Sequence, residues 1–233
     1  MKRLKKISLL FMALLLVLTA GFFVYVHDVY PAQERAVVLL EQENITEALK
    51  DVLMIEPKQD TTTGLIFYPG AKVEYTAYLP LLTQLSEAAD ITIYLVKMPF
   101  NLAILSPDKA QELIDEFSKT TTWYLAGHSM GGAMASYFAS NHEDLIKGVI
   151  LLGAYPYGDY PLTQTLTIYG SLNTSVADKI DYEEQVVVIE GGNHAQFGDY
   201  GDQKGDAVAT ISREDQQQQA IDAIVEFLKQ TNQ

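Results

Sequence analysis

The sequence predicts an α/β protein, with a mostly parallel sheet and helices on both faces. Three observations lead there. From Gly64 to Lys229, short apolar runs of buried-strand type alternate with segments of helical periodicity, as crossover connections between parallel strands require. The third of these runs, Trp123 to Ala126, ends in Gly127-His128-Ser129-Met130-Gly131 and passes directly into small residues, which reads as strand, sharp turn and helix with a serine at the tip. The last run, Val186 to Ile189, is followed by Gly191-Gly192-Asn193-His194.

Taken in order, the chain opens with Lys2, Arg3, Lys5 and Lys6 before an uncharged run from Ile7 to Val26. A run of that length spans a bilayer as a helix. It exceeds the core of a typical secretory signal, and no clean small-x-small cleavage site closes it. Thr19-Ala20-Gly21 is the nearest, with five apolar residues still to come. The basic flank stays cytoplasmic, so the expectation is a single-pass anchor over residues 1–26 with the remainder outside the cytoplasm. Secretion after signal cleavage is the alternative. Residues 27–58 read as a lead-in, with Pro31 early, Val37 to Leu40 apolar, and Val52 to Ile55 as an edge strand. The folded domain is expected over 59–233, after a polar turn at Lys58 to Thr63.

Within that domain, Gly64 to Tyr68 is the first buried strand and ends in Pro69-Gly70. Tyr78, Leu81, Leu82 and Leu85 fall at helical spacing, with Pro80 early in the helix. Ile91 to Val96 is the second strand. Ser106-Pro107 predicts a helix start, serine as cap and proline at the first position, with Ala110, Leu113, Ile114 and Phe117 as its apolar stripe. After the serine turn come strands at Val149 to Ala154, Leu166 to Tyr169 and Val186 to Ile189. A last helix over Glu214 to Lys229 carries Ile221, Ile224, Val225 and Leu228 on one face. The only low-complexity run is Gln216 to Gln219.

Composition narrows the function. The chain has 233 residues and a net charge of −14, which suits one domain plus an appendage and argues against nucleic-acid binding, where a basic face is needed. Without the four leading basic residues the rest carries 12 basic and 30 acidic side chains, a net −18, which reads as a solvated acidic surface. There is no cysteine, so disulfides, a thiol nucleophile and lipoprotein anchoring are excluded.

The serine turn carries the chemistry. Gly127 and Gly131 allow strand and helix to close tightly around Ser129, which sits on strained backbone as a candidate nucleophile. One oxyanion donor is the N–H of the following residue, Met130. The other comes from the loop after the first core strand, where Ala71, or else Lys72, follows Pro69-Gly70. Of four histidines, His27 abuts the apolar leader, His128 lies inside the turn, and His142 is in a polar loop. His194 alone follows a strand's C-terminal end, where open parallel sheets place their sites. Its expected role is to take the Ser129 proton and return it to the leaving group. Asp199, Asp202 and Asp206 alternate with glycines but lack calcium-loop spacing, so they read as a solvated acidic loop. No metal and no cofactor is expected. Tyr155, Tyr157 and Tyr160 are candidates for the pocket wall.

These residues carry a resemblance. From Gly64 to Leu228 the chain resembles a bacterial α/β-hydrolase of the small dienelactone-hydrolase-like (carboxymethylenebutenolidase-related) kind. The matching stretches are Ile66 to Val73, Gly127 to Gly131, Ile168 to Asn173 and Gly191 to Gly198. The resemblance implies an α/β-hydrolase fold and an esterase-like serine hydrolase acting on a small acyl or ester substrate. The short connection between Ala154 and Leu166 leaves no room for a large lid domain. It also implies an acid after the strand Leu166 to Tyr169, in the pattern Gly-x-x-Asp. This chain has Gly170-Ser171-Leu172-Asn173. Asparagine can orient an imidazole but cannot balance its charge, and Asp-to-Asn in a serine protease triad costs about 10⁴ in turnover. Three readings stand. Asn173 orients His194 in a slow enzyme; or another carboxylate serves, Asp159 first, then Asp178, with Glu190 behind them; or the protein binds rather than cuts.

Overall fold

The computed structural model describes residues 2–231, with side chains from residue 6 onward. The chain begins with α1 (Lys2–His27). Its stretch Lys6–His27 has a mean hydropathy of 2.6 and is long and apolar enough to cross a membrane. A short α2 (Glu34–Val37) follows, then β1 (Ile45–Leu49) and β2 (Val52–Ile55). The expected alternation then runs through β3 (Thr63–Tyr68), α3 (Leu79–Ala89), β4 (Thr92–Val96), α4 (Lys109–Glu116), β5 (Thr122–His128), α5 (Met130–Asn141), β6 (Gly148–Leu152), β7 (Thr165–Gly170), α6 (Thr174–Ala177), β8 (Val186–Ile189) and α7 (Arg213–Thr231).

The eight strands form one sheet in the order β1-β2-β4-β3-β5-β6-β7-β8. The β1–β2 and β2–β4 pairings are antiparallel, and the remaining pairings, from β4 to β8, are parallel. Alternate residues of each central strand serve opposite faces. Leu65 and Phe67 of β3 and Ile150 and Leu152 of β6 pack with α3 and α7. Ile66 and Tyr68, with Val149 and Leu151, pack with α4 and α5. The predicted architecture, helices on both faces with no large lid, is what the chain adopts.

The expected lead-in does more than link. β2 lies one place in from the edge, and β1 forms the edge itself. β1 escaped the sequence reading because only Ile45 of its five residues is buried, so it lacks a strand-like apolar run. Tyr30 bridges to Val73, and Arg35 Nη1 meets Asp199 Oδ1 at 2.8 Å. Asp199, expected in a solvated loop, is 1% exposed and also accepts from Gln217 Nε2 at 2.8 Å. A buried carboxylate needs such partners. The helix predicted from Ser106-Pro107 begins instead at Lys109. Its first turn is held by Tyr68, whose hydroxyl donates to the Pro107 carbonyl at 2.9 Å and accepts from Ala110 N at 2.7 Å. A tyrosine from β3, rather than a serine cap, places the start.

Candidate active site

Ser129 stands between β5 and α5 at φ 53°, ψ −123°, a left-handed conformation that a non-glycine residue holds only where the surroundings impose it. The surroundings are explicit. Ser129 N–H donates to the Leu152 carbonyl of β6 at 3.0 Å. A Cβ on Gly131 would overlap the carbonyl oxygens of Tyr68 and Pro69, and one on Gly127 would overlap the backbone of Gly131 and Gly132. Two glycines thus let α5 start against the ends of β3 and β5, with its N-terminus beside the serine.

His128, set aside in the sequence, is fully buried and ties three loops together. Its Nε2 lies 3.0 Å from the carbonyl oxygen of His194. A carbonyl only accepts, so Nε2 carries the proton and Nδ1 is the acceptor. The Tyr78 hydroxyl, 2.8 Å away, therefore donates to Nδ1, and itself accepts from Gly70 N–H at 3.0 Å. The chain of donors runs from the loop after β3, through α3's flank and the serine turn, to the histidine loop. Burial, and then the nearby His194, hold the His128 pKa well below 6.5, consistent with this neutral tautomer.

His194 follows β8. Its loop closes on the turn after β7, where a Cβ on Gly170 would overlap the Gly192 backbone. Gln216 of α7, fully buried, clamps the preceding residue in both directions, Asn193 N to Oε1 and Nε2 to the Asn193 carbonyl, each 2.9 Å. What read as low-complexity glutamine is a fixed strut. The His194 ring lies 4.5 Å, centroid to centroid, from that of His128, the residue next to Ser129. Burial lowers its pKa and the charge of Asp206 works the other way.

Asn173 is buried and its side-chain amide lies 2.8 Å from His194 Nδ1, at the place the resemblance assigns to the acid. The Ser175 hydroxyl holds its Oδ1 at 2.9 Å. With Nδ2 towards the ring, the neutral imidazole keeps its proton on Nε2. With the amide turned over, Oδ1 accepts from Nδ1–H, Ser175 becomes the acceptor, and Nε2 is free to act as base. Both contacts of the Asn173 amide, to His194 Nδ1 and to Ser175, are satisfied in either arrangement.

Ser129, Met130, Asn173 and His194 line one cavity of about 1060 Å³. Tyr155 and Tyr157 form part of its wall, whereas Tyr160 is turned into the core with its hydroxyl on the Ile146 carbonyl. Asp159, Asp178 and Glu190 are exposed, and none of them lines the cavity. His142 stacks on Phe138 at 4.2 Å, and His27 ends α1. In the loop after β3, Gly70 N–H is spent on Tyr78 and Lys72 N–H on the Asn101 carbonyl at 2.8 Å. Ala71 N–H has no acceptor among the described residues, although Ala71 is not part of the cavity wall. Sequence reasoning missed Tyr78, His128, Asp206 and Gln216. The one signal available was a histidine within the serine turn.

A profile of the alpha/beta hydrolase family matches residues 64–218. The chain belongs to the alpha/beta hydrolase family. Over 55 residues it is 44% identical to a chloroplastic pheophytinase of Arabidopsis thaliana, a match covering 23% of this chain and 11% of that protein. Among solved structures it is similar to a hormone-sensitive lipase from a metagenome library, with TM-score 0.56, 12% identity and 84% and 88% of the two chains covered. It is also similar to a bacterial membrane phospholipase A, with TM-score 0.54, 14% identity and 97% and 99% covered. At such identities the structural likeness speaks for the fold. The family marks the chain as a hydrolase.

Proposed function

We propose that the chain is a serine hydrolase acting on esters or related acyl compounds through an acyl-Ser129 intermediate. The observation that carries this is the pairing, in one cavity, of a serine held at φ 53° with a largely buried histidine whose Nδ1 is hydrogen-bonded to Asn173. Ser129 Oγ forms the bond to the acyl carbon as its proton passes to His194 Nε2. That proton then goes to the departing oxygen as its bond to the acyl carbon breaks. Water repeats the sequence and frees the carboxylic acid. Met130 and Ala71 N–H groups are the proposed donors to the oxyanion. Asn173 orients the ring in its turned-over arrangement.

The same reading places the domain outside the cytoplasm on α1 as anchor. Phe22 and Phe23 meet Phe100 edge-on at 5.4 and 6.3 Å, and Ile104, exposed nearby in the chain, lines the cavity. Acyl compounds that partition to a membrane surface suit that placement. Labelling with a fluorophosphonate probe, together with hydrolysis of p-nitrophenyl acetate, tests the proposal. Wild type should label and turn over, and Ser129→Ala should do neither while melting within a few degrees of wild type. Turnover by Ser129→Ala would refute it. The alternative is a binding protein on a hydrolase fold, favoured by the arrangement with Asn173 Nδ2 on the ring, and it predicts no labelling of either chain.

A further inference from the structure

Asn173 leaves a question of charge. When His194 takes the serine proton it becomes a cation in a largely buried position, and a neutral amide cannot balance it. Among the described residues of the cavity wall there is one carboxylate, Asp206. It is bound to the backbone of the histidine itself. Asp206 Oδ1 accepts from His194 N at 3.2 Å and from Ala207 N at 2.9 Å, and Oδ2 accepts from Ala195 N at 2.7 Å. All three donors are uncharged amides. Among the described residues no ion pair joins Asp206 to a lysine or arginine, so its charge is not neutralised locally.

We propose that Asp206 is the counter-charge for His194, so that the task of a triad acid is divided: Asn173 orients the ring at Nδ1 and Asp206 supplies the negative charge from the backbone side. This rests on the serine hydrolase reading above. Asp206 is a positioning residue, acting through the electrostatics of His194. The other groups around the ring do not replace it. His128, tilted against it from β5 at 4.5 Å between centroids, is held neutral by burial. Tyr78 reaches it only through His128. Tyr200, beside Asp206, has its pKa raised well above 10, first by burial. Lys204 in the cavity wall and Arg213 of α7 are cations and would oppose protonation. Asp206 also restrains the histidine loop, so charge and restraint have to be separated in the test.

The separation uses Asp206→Asn, which keeps shape and loses charge, and Asp206→Glu, which keeps charge and disturbs the fit. Both are made in the full chain in detergent. The first readout is the His194 imidazole titration by NMR, which needs no turnover. The second is the pH profile of kcat/KM for p-nitrophenyl acetate. With Asp206→Asn the His194 pKa falls and the acid limb moves to lower pH, while the plateau drops about 10- to 100-fold, less than the ~10⁴ of a contacting aspartate. Asp206→Glu keeps the acid limb near wild type. Adding Asn173→Asp to Asp206→Asn restores kcat/KM to within a few-fold of Asn173→Asp alone, because the charge is then supplied at Nδ1. The proposal is overturned if His194 titrates identically in wild type and Asp206→Asn. It is equally overturned if Asp206→Asn costs as much in the Asn173→Asp background as in wild type. Absent turnover in a wild-type chain that fluorophosphonate does not label counts against the hydrolase reading instead, and the NMR titration still decides the role of Asp206.

Discussion

The hydrogen-bond chain through His128 makes a quantitative prediction for Tyr78→Phe. The substitution removes one hydroxyl and leaves the ring, which still packs on Phe67 at a centroid distance of 4.9 Å. Two partners are left without a bond: Gly70 N–H, which had donated to the hydroxyl, and His128 Nδ1, which had accepted from it. Both belong to buried residues, where water cannot easily substitute. An orphaned buried donor or acceptor costs about 1–3 kcal/mol, so the pair should cost about 2–6 kcal/mol. Against a total stability of about 5–15 kcal/mol that is a large fraction, and for a domain of this size it corresponds to a fall in Tm of roughly 5–15 °C. Urea unfolding of the full chain in detergent, with thermal melts alongside, measures it. Activity should fall as well, since the same hydroxyl positions the loop carrying Ala71. A loss of stability below about 0.5 kcal/mol would refute the chain of donors, because a surface-like substitution is all that would then have been made.

Gly131→Ala should prevent folding or abolish activity, since its Cβ would meet the Tyr68 and Pro69 carbonyls and backbone cannot move aside as a side chain can; a soluble, active variant would contradict the packing of the turn. Both His128 and His194 have pKa values lowered from 6.5, chiefly by burial. The unfolded chain therefore binds more protons below pH 6.5, and their contribution is complete above that pH and lost as pH falls beneath it, by at most about 1.4 kcal/mol per pH unit for each. An NMR titration in which the His128 ring protonates at or above pH 6.5 in the folded protein would count against this. The full chain should stay with membranes through carbonate extraction, as expected of α1; recovery of a soluble mature protein with its N-terminus near Gly21 would show a cleaved signal instead.

Much of this protein is legible in the order of its residues, because the signals concerned are local. Apolar runs mark β3 to β8, and a five-residue pattern around Ser129 dictates a strained turn whose glycines admit close backbone approach. A glycine-rich loop after the last strand singles out His194, and the absence of a carboxylate at Asn173 shows at a glance. What the tertiary structure decided lies in pairs distant along the chain. Asp159, Asp178 and Asp206 are the same side chain in similar polar loops. Only the folding of the segment after His194 back over its own backbone brings Asp206 to the His194 and Ala195 amides and leaves the other two in solvent. Gln216 looks like one of four equivalent glutamines until the α7 register buries it against Asn193. His128 reads as an incidental residue of the turn until Tyr78 and the His194 carbonyl meet it from two other loops. Sequence periodicity specifies which face of an element is buried. It carries no information on which polar groups the loop ends bring within hydrogen-bonding distance, and in this chain those contacts span 8 to 66 residues.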